Sequence, residues 1–295
     1  MSHSATQQTV VRMLFDAAYA ERVFSAPEET LAGVDLTVEE RTWVTRSDPR
    51  AYRTDPHRCE RALGVIVEEF PVSCTLLARQ SGSVDELHAF FASAFFCSSI
   101  FAGRPMALAF GDYLAALAAR PAPKSCPLAE IARVEHAIAQ VRRAPRAPLL
   151  PAAAVVAVSL APTARVLRVT PGLLDYYGQC LAVVRSHPRG AIGAVVDPDL
   201  ALPARPPSGP PEATAADAII VDFPSGAEGP TLEMGAPALV DLLEAAERQT
   251  LSREDWIELA AGAGASNQEA LELWAELLTD GLLAAAPRGR AVADG

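Results

Sequence analysis

The last third of the chain constrains its architecture most. Two short β-prone runs, Ala218 to Phe223 and Thr231 to Met234, lead into three helix-sized amphipathic segments that end at Gly281-Leu282-Leu283. Leu239, Leu242, Leu243 and Ala246 form the first apolar stripe, Trp256, Ile257, Leu259 and Ala260 the second, and Leu271, Trp274, Leu277, Leu278 and Leu282 the third. Ser252-Arg-Glu-Asp255 and Ser266-Asn-Gln-Glu269 have the form of capping boxes, and Gly281 stands where a helix closes on a left-handed residue. A small sheet followed by three helices is a winged-helix-like plan, which can grip either DNA or a peptide.

Charge separates these two uses. From Gly235 to Leu283 the basic residues are Arg248 and Arg253, against Asp241, Glu244, Glu247, Glu254, Asp255, Glu258, Glu269, Glu272, Glu276 and Asp280. A helix that enters a DNA groove meets a dense row of phosphates and carries the Lys and Arg that neutralise them. The last helix here has none. The net charge of -11 is also uneven: Met1 to Pro145 holds 15 basic and 17 acidic residues, Arg146 to Gly295 holds 10 and 19. The second half therefore suits a cationic partner and not nucleic acid or an anionic membrane surface.

A chain of 295 residues suggests two domains at roughly 150 residues each. Lys124 is its only lysine, so Schiff-base chemistry and lysine-dependent phosphate loops have almost nowhere to reside. The five cysteines, Cys59, Cys74, Cys97, Cys126 and Cys180, are odd in number and far apart, as in reduced, buried thiols. Met1 to Val10 is polar, without the basic and apolar regions of a secretion signal, and apolar runs stop short of the ~20 residues a membrane span needs. The expectation is a cytoplasmic protein with no membrane partner.

Residues 1–145 read as about six helices without a strand. Val10, Val11, Leu14, Phe15 and Ala18 recur at helical spacing, and Thr37-Val-Glu-Glu40 and Ser83-Val-Asp-Glu86 have the form of capping boxes. The first box opens a short helix containing Trp43, and the second a longer one through Phe95 and Phe96. Helices are also expected from Pro56 to Phe70, where Pro71 kinks or restarts the chain, from Pro105 to Ala119, and from Pro127 to Arg143. Three prolines in Ala144 to Pro151 mark a domain boundary. Beyond it, Val155 to Val158, Val166 to Val169, Val183-Val184 and Val195-Val196 read as short antiparallel strands. Six prolines make Asp197 to Ala216 an exposed loop. The resulting fold class is α+β: an all-α domain over 1–145, a winged-helix-like domain over 152–284 and a disordered tail over 285–295.

Catalytic and metal patterns are scarce. His3, His57, His88, His136 and His187 are scattered, and nothing completes a tetrahedral site around His57-Arg-Cys59. No nucleophile elbow, Walker loop or dinucleotide fingerprint occurs, so neither a catalytic residue nor a metal ligand is assigned. Binding features are stronger. If Thr231, Leu232, Glu233 and Met234 form an edge strand, an extended peptide can add to it. Leu271, Trp274 and Leu278 of the third helix would then supply an apolar wall with Trp274 as anchor, although an amphipathic stripe more often packs into its own domain. A second surface is arginine-rich: Arg41, Arg46, Arg50, Arg53, Arg58 and Arg61 lie interleaved with Trp43, Tyr52 and His57. They can dock an acidic protein. Asp48, Asp55 and Glu60 dilute the patch for RNA, and a solvated helical face is its commonest alternative.

The two halves together resemble a known system. The segments Ala218 to Gly226, Thr231 to Met234 and the three helices to Leu283 resemble the precursor-recognition element of ribosomal-peptide modification systems. In the first half, Leu14-Phe-Asp16, Phe24-Ser-Ala-Pro27, Leu36 to Arg41 and Glu69-Phe-Pro-Val-Ser73 resemble the helical half of partner subunits of multinuclear non-heme iron oxidases, which include the methanobactin-type accessory protein. The resemblance implies a heterodimer in which a separate TIM-barrel oxidase carries the iron, while this chain binds the ribosomal precursor peptide. It implies no cofactor in this chain. The rival reading is a winged-helix transcriptional regulator with a helical sensor domain, which requires a basic recognition helix. A third is an enzyme with a site between the halves.

Overall fold

The computed structural model describes residues 3–53, 57–119, 127–148, 150–204, 216–224 and 227–286. It is α+β and mostly helical, with two small antiparallel three-stranded sheets. The chain forms two compact units: residues 1–136 with 177–204, and residues 137–176 with 205–295. The units interleave along the chain, whereas the prolines of Ala144 to Pro151 suggested a single cut. The reason is a return of the chain: a helix over Gly190–Val196 packs on the helices of residues 58–81, within the first unit.

The first unit begins α1 (Ser4–Phe15), α2 (Ala17–Ser25), α3 (Pro27–Thr30), α4 (Val38–Arg46) and α5 (Arg50–Arg53). It continues with α6 (Arg58–Glu69), α7 (Pro71–Ser81), α8 (Asp85–Ala92), α9 (Ala94–Phe101), α10 (Met106–Ala118) and the first part of α11 (Leu128–Arg143), whose residues from Ala137 on belong to the second unit. There are more helices than expected because short side chains break the longer runs. The Asp16 side chain accepts from the Tyr19 amide and starts α2, and the Ser93 hydroxyl accepts from the Phe96 amide and separates α8 from α9. The Thr37 capping box is complete, with Glu40 reaching back to the Thr37 amide at 2.9 Å. The box expected at Ser83 is not formed: α8 starts one residue later than its pattern implies, after Val84, and Ser83 Oγ accepts from the Asp85 amide.

The core of this unit is aromatic. Phe90 meets Phe91, Phe96, Phe110 and Tyr113 at centroid distances of 5.1–5.4 Å, edge-on to Phe96 and Phe110, the arrangement ring quadrupoles favour, and tilted to the other two. Helix α7 runs through the interior, with Pro71 to Ala78 all buried. Its N-cap, Phe70, has no side chain to cap with, and Pro71 brings no amide. Glu135 of α11 fills the role: its two oxygens accept from the Val72 amide at 3.0 Å and the Ser73 amide at 2.9 Å. A carboxylate at a helix N-terminus is stabilised both by those donors and by the helix dipole.

The second unit contains β1 (Ala157–Leu160), β2 (Ala164–Val169), β3 (Asp217–Asp222), β4 (Thr231–Met234), α14 (Pro237–Arg248), β5 (Leu251–Ser252), α15 (Arg253–Gly262), α16 (Asn267–Asp280) and β6 (Leu283–Ala285). Helices α12 (Leu173–Ser186) and α13 (Gly190–Val196) lie between β2 and β3 in sequence. Strands were expected at Val183-Val184 and Val195-Val196, and both are helical. Leu173, Tyr176, Tyr177, Cys180 and Val184 are the buried positions of α12, a spacing of three and four that outweighs the β-branched pair. The sheets run β5-β1-β6 and β2-β3-β4. Helix α14 packs on β1, β2 and β3, and Arg168 of β2 reaches over to Glu244 and Asp241 of α14 at 2.7 and 2.6 Å. Trp256 of α15 and Trp274 of α16 are wholly buried, edge to face at 5.8 Å, with the Trp256 indole N–H donating to the Ala270 carbonyl at 2.9 Å. Most of the expected loop at Asp197 to Ala216 and nearly all of the expected tail at 285–295 lie outside the described residues. Ala285 belongs to β6.

Candidate functional site

Strand β4 occupies the edge of its sheet. Its register on β3 pairs Thr231 with Asp222, Leu232 with Val221, Glu233 with Ile220 and Met234 with Ile219. The Gly235 amide donates to the Ala218 carbonyl at 2.8 Å, which fixes the alternation. Residues 231, 233 and 235 exchange main-chain bonds with β3, so Leu232 and Met234 turn their N–H and C=O groups outward. Among the described residues no strand lies on that side. Thr231 and Leu232 are half-buried, Glu233 is exposed, and Met234 is 51% exposed. The Thr231 hydroxyl hydrogen-bonds Asp222, pinning the start of the strand to its neighbour. What the edge offers chemically is a short main-chain ladder with a flexible thioether beside it.

The helical wall expected for this edge is elsewhere. Helix α16 packs on α15, β6 and the turn Ala152–Ala154. Trp274 and Leu278 are 0% and 5% exposed and belong to the unit's core, and only Leu271 of the three is half-exposed. The physical reason is β1, which enters from before the segment and pairs with β6, giving the α16 stripe an apolar floor. An indole with that floor available is buried by the hydrophobic effect and does not wait for a guest. The sequence gives no local sign that β1 would take this place.

The arginines of the first unit divide by role. Arg41 donates to the Leu31 carbonyl at 3.1 Å and Arg58 to the Leu14 carbonyl at 2.9 Å, so each braces a helix end, Arg41 that of α3 and Arg58 that of α1. Arg46 and Arg50 are exposed, and the Arg53 side chain lies outside the described residues. Beside them stand Trp43, expected among these arginines and 59% exposed, and Val38, not singled out from sequence, at 82%. Helix α4 buries only Val44. A solvent-facing tryptophan with adjacent arginines has the composition of an interface anchor. The signal in the sequence was the charged flanks of Trp43, Glu39-Glu40-Arg41 and Arg46.

The most perturbed carboxyl is Glu135. Burial pushes it up from 4.5 to about 7, against the pull of the Ser73 hydroxyl, the Ser73 and Val72 amides and the Arg185 guanidinium. Burial, and then the Glu135 charge, hold the neighbouring Cys74 thiol well above its ordinary value, so it is a poor nucleophile. Among the described residues, no group of three or more His, Cys, Asp or Glu is placed to hold a metal ion. No helix among them is long and apolar enough to cross a membrane. No protein-family model matches the chain, and no curated protein matches it.

Proposed function

We propose that this chain is a non-catalytic accessory subunit that takes up a ribosomal precursor peptide as an added strand on β4 and presents it to a separate iron-dependent oxidase. The observation that carries the reading is the outward-facing main chain of Leu232 and Met234. An extended peptide completes that ladder at little conformational cost to the host, with affinity from the backbone and selectivity from flanking side chains. The strand β4 followed by α14, α15, α16 and β6 supports a winged-helix variant as the holder. The lack of basic side chains on α16 favours a peptide over DNA as its guest. Trp43, Arg46 and Arg50 provide an anchor and a charged rim for docking the oxidase, a TIM-barrel enzyme in the systems the sequence resembles.

Two results are expected. Co-expressed with such an oxidase, the chain co-purifies with it as a heterodimer, and Trp43→Ala lowers the yield of complex several-fold. A purified chain that modified the peptide alone would contradict the non-catalytic role. Leu232→Pro removes an amide that β3 does not use, so the fold is retained, as edge strands tolerate proline where the N–H faces outward. Its affinity for precursor falls roughly tenfold, the effect of about one main-chain bond and its geometry. Equal binding by fluorescence anisotropy in a folded variant would move the site away from β4.

A further inference from the structure

A second strand edge in the same unit is covered by the chain itself. The Ala161 amide donates to the Leu282 carbonyl and the Ala286 amide to the Ala157 carbonyl, both at 2.9 Å. With Ala284 opposite Ser159, this alternation turns the main chain of Leu283 and Ala285 away from β1, toward the outer side of β6. Leu283 and Ala285 share a groove with Asp280 and Gly281 at the end of α16 and with Ala161, Thr163 and Phe223, and Arg146, Ala147, Pro148 and Leu150 close it. The cover leaves a cavity of about 30 Å³, room for about one water. Its hold is light. The Arg146 guanidinium lies 5.0 Å over the Phe223 ring, Ala147 packs on the core, and Leu150 remains 47% exposed.

This cover cannot seal the edge. Pro145, Pro148 and Pro151 have no N–H, so the segment cannot zip onto β6 as a regular strand. Among the described residues, the outward groups of Leu283 and Ala285 have no main-chain partner. The groove is thus filled sterically and left open electrostatically. Glu269, Glu272, Glu276 and Asp280 are exposed along α16, so a basic guest gains where an acidic one loses.

We propose that Arg146–Pro148 and Leu150 form a displaceable strap over a second strand-addition edge, β6, and that an extended basic peptide takes its place. The strap holds the edge against promiscuous pairing and sets a threshold that a guest must exceed. The inference shares with the proposed function only the idea of an extended guest, and the two fail at different residues.

The test uses the full chain and a fluorescein-labelled, end-blocked peptide of three Arg-Val repeats. Loosening the strap with Arg146→Ala and Ala147→Asp together raises affinity for this probe at least tenfold. Pro148→Val, which returns an amide to the strap and lets it pair with β6, lowers affinity below wild type. Amide exchange read by NMR slows at Leu283 and Ala285 when the probe binds. Equal probe affinity in the three proteins, with both variants folded by circular dichroism, would overturn the strap. Protection confined to Leu232 and Met234 would also overturn it, while leaving the β4 reading intact.

Discussion

Trp274→Ala is expected to destabilise the second unit by about 3–5 kcal/mol, the range for removing a buried tryptophan and leaving a cavity. That is a large share of the roughly 5–15 kcal/mol that holds a domain folded. Trp274 is fully enclosed and meets Trp256 edge to face, so its loss also unseats the indole that binds the Ala270 carbonyl. The measurement is the urea midpoint followed by tryptophan fluorescence of the remaining indoles. Leu271→Ala, on the half-exposed side of the same helix, is expected to cost well under half as much. If both substitutions cost the same, Trp274 does not anchor the core of this unit. A loss of peptide binding in Trp274→Ala would report unfolding and not a missing contact.

Glu135 gives the second large effect, and its sign is set by burial. Its folded-state pKa, about 7, lies above the ordinary 4.5. The folded state therefore holds the proton more tightly than the unfolded chain. Stability from this group is complete below pH 4.5 and is lost as pH rises through 7. At about 1.4 kcal/mol per unit, the swing is about 3 kcal/mol. Glu135→Gln carries no charge to bury, so relative to wild type it should be more stable at pH 8 than at pH 5. At pH 5 the two proteins are close in stability, because the protonated carboxyl, like the amide, presents one strong acceptor oxygen to the Val72 and Ser73 donors. Urea midpoints of both proteins at pH 5 and pH 8 test this. A difference that does not change between the two pH values would mean that Glu135 does not titrate in that range.

How much of this was readable from sequence depends on how far apart the interacting residues lie. Three capping boxes, at Thr37, Ser252 and Ser266, form as their spacing implies, because a box is complete within four residues. Strand β4 runs from Thr231 to Met234, as its composition suggests. The fragments that carried the family resemblance in the first half prove to be helix junctions: Asp16 caps α2, Pro27 opens α3, Thr37 caps α4 and Pro71 opens α7. Junction residues are held by backbone geometry, which explains why such patterns are recognisable without any catalytic group.

Longer-range features were not readable. Glu135 reaches its helix across 62 and 63 residues, and nothing adjacent to it distinguishes it from a solvated acid. The valine pairs at 183–184 and 195–196 favour strands locally, yet the period of the buried positions around them is helical. The partition of six strands into two sheets depends on β1 pairing with β5 and β6, about 95 and 125 residues away, a choice between partners of similar composition. That partition also carried the α16 stripe to β6, and the expected cleft beside β4 lost its wall with it.

The proposed peptide capture depends on the outward main chain of β4, and backbone amide exchange at Leu232 and Met234 tests it most directly. When the cognate precursor peptide is added, those two amides should slow by at least tenfold, while the Thr231 and Glu233 amides, already bonded to β3, change little. A precursor that binds while Leu232 and Met234 exchange at their free rates would contradict strand addition on β4.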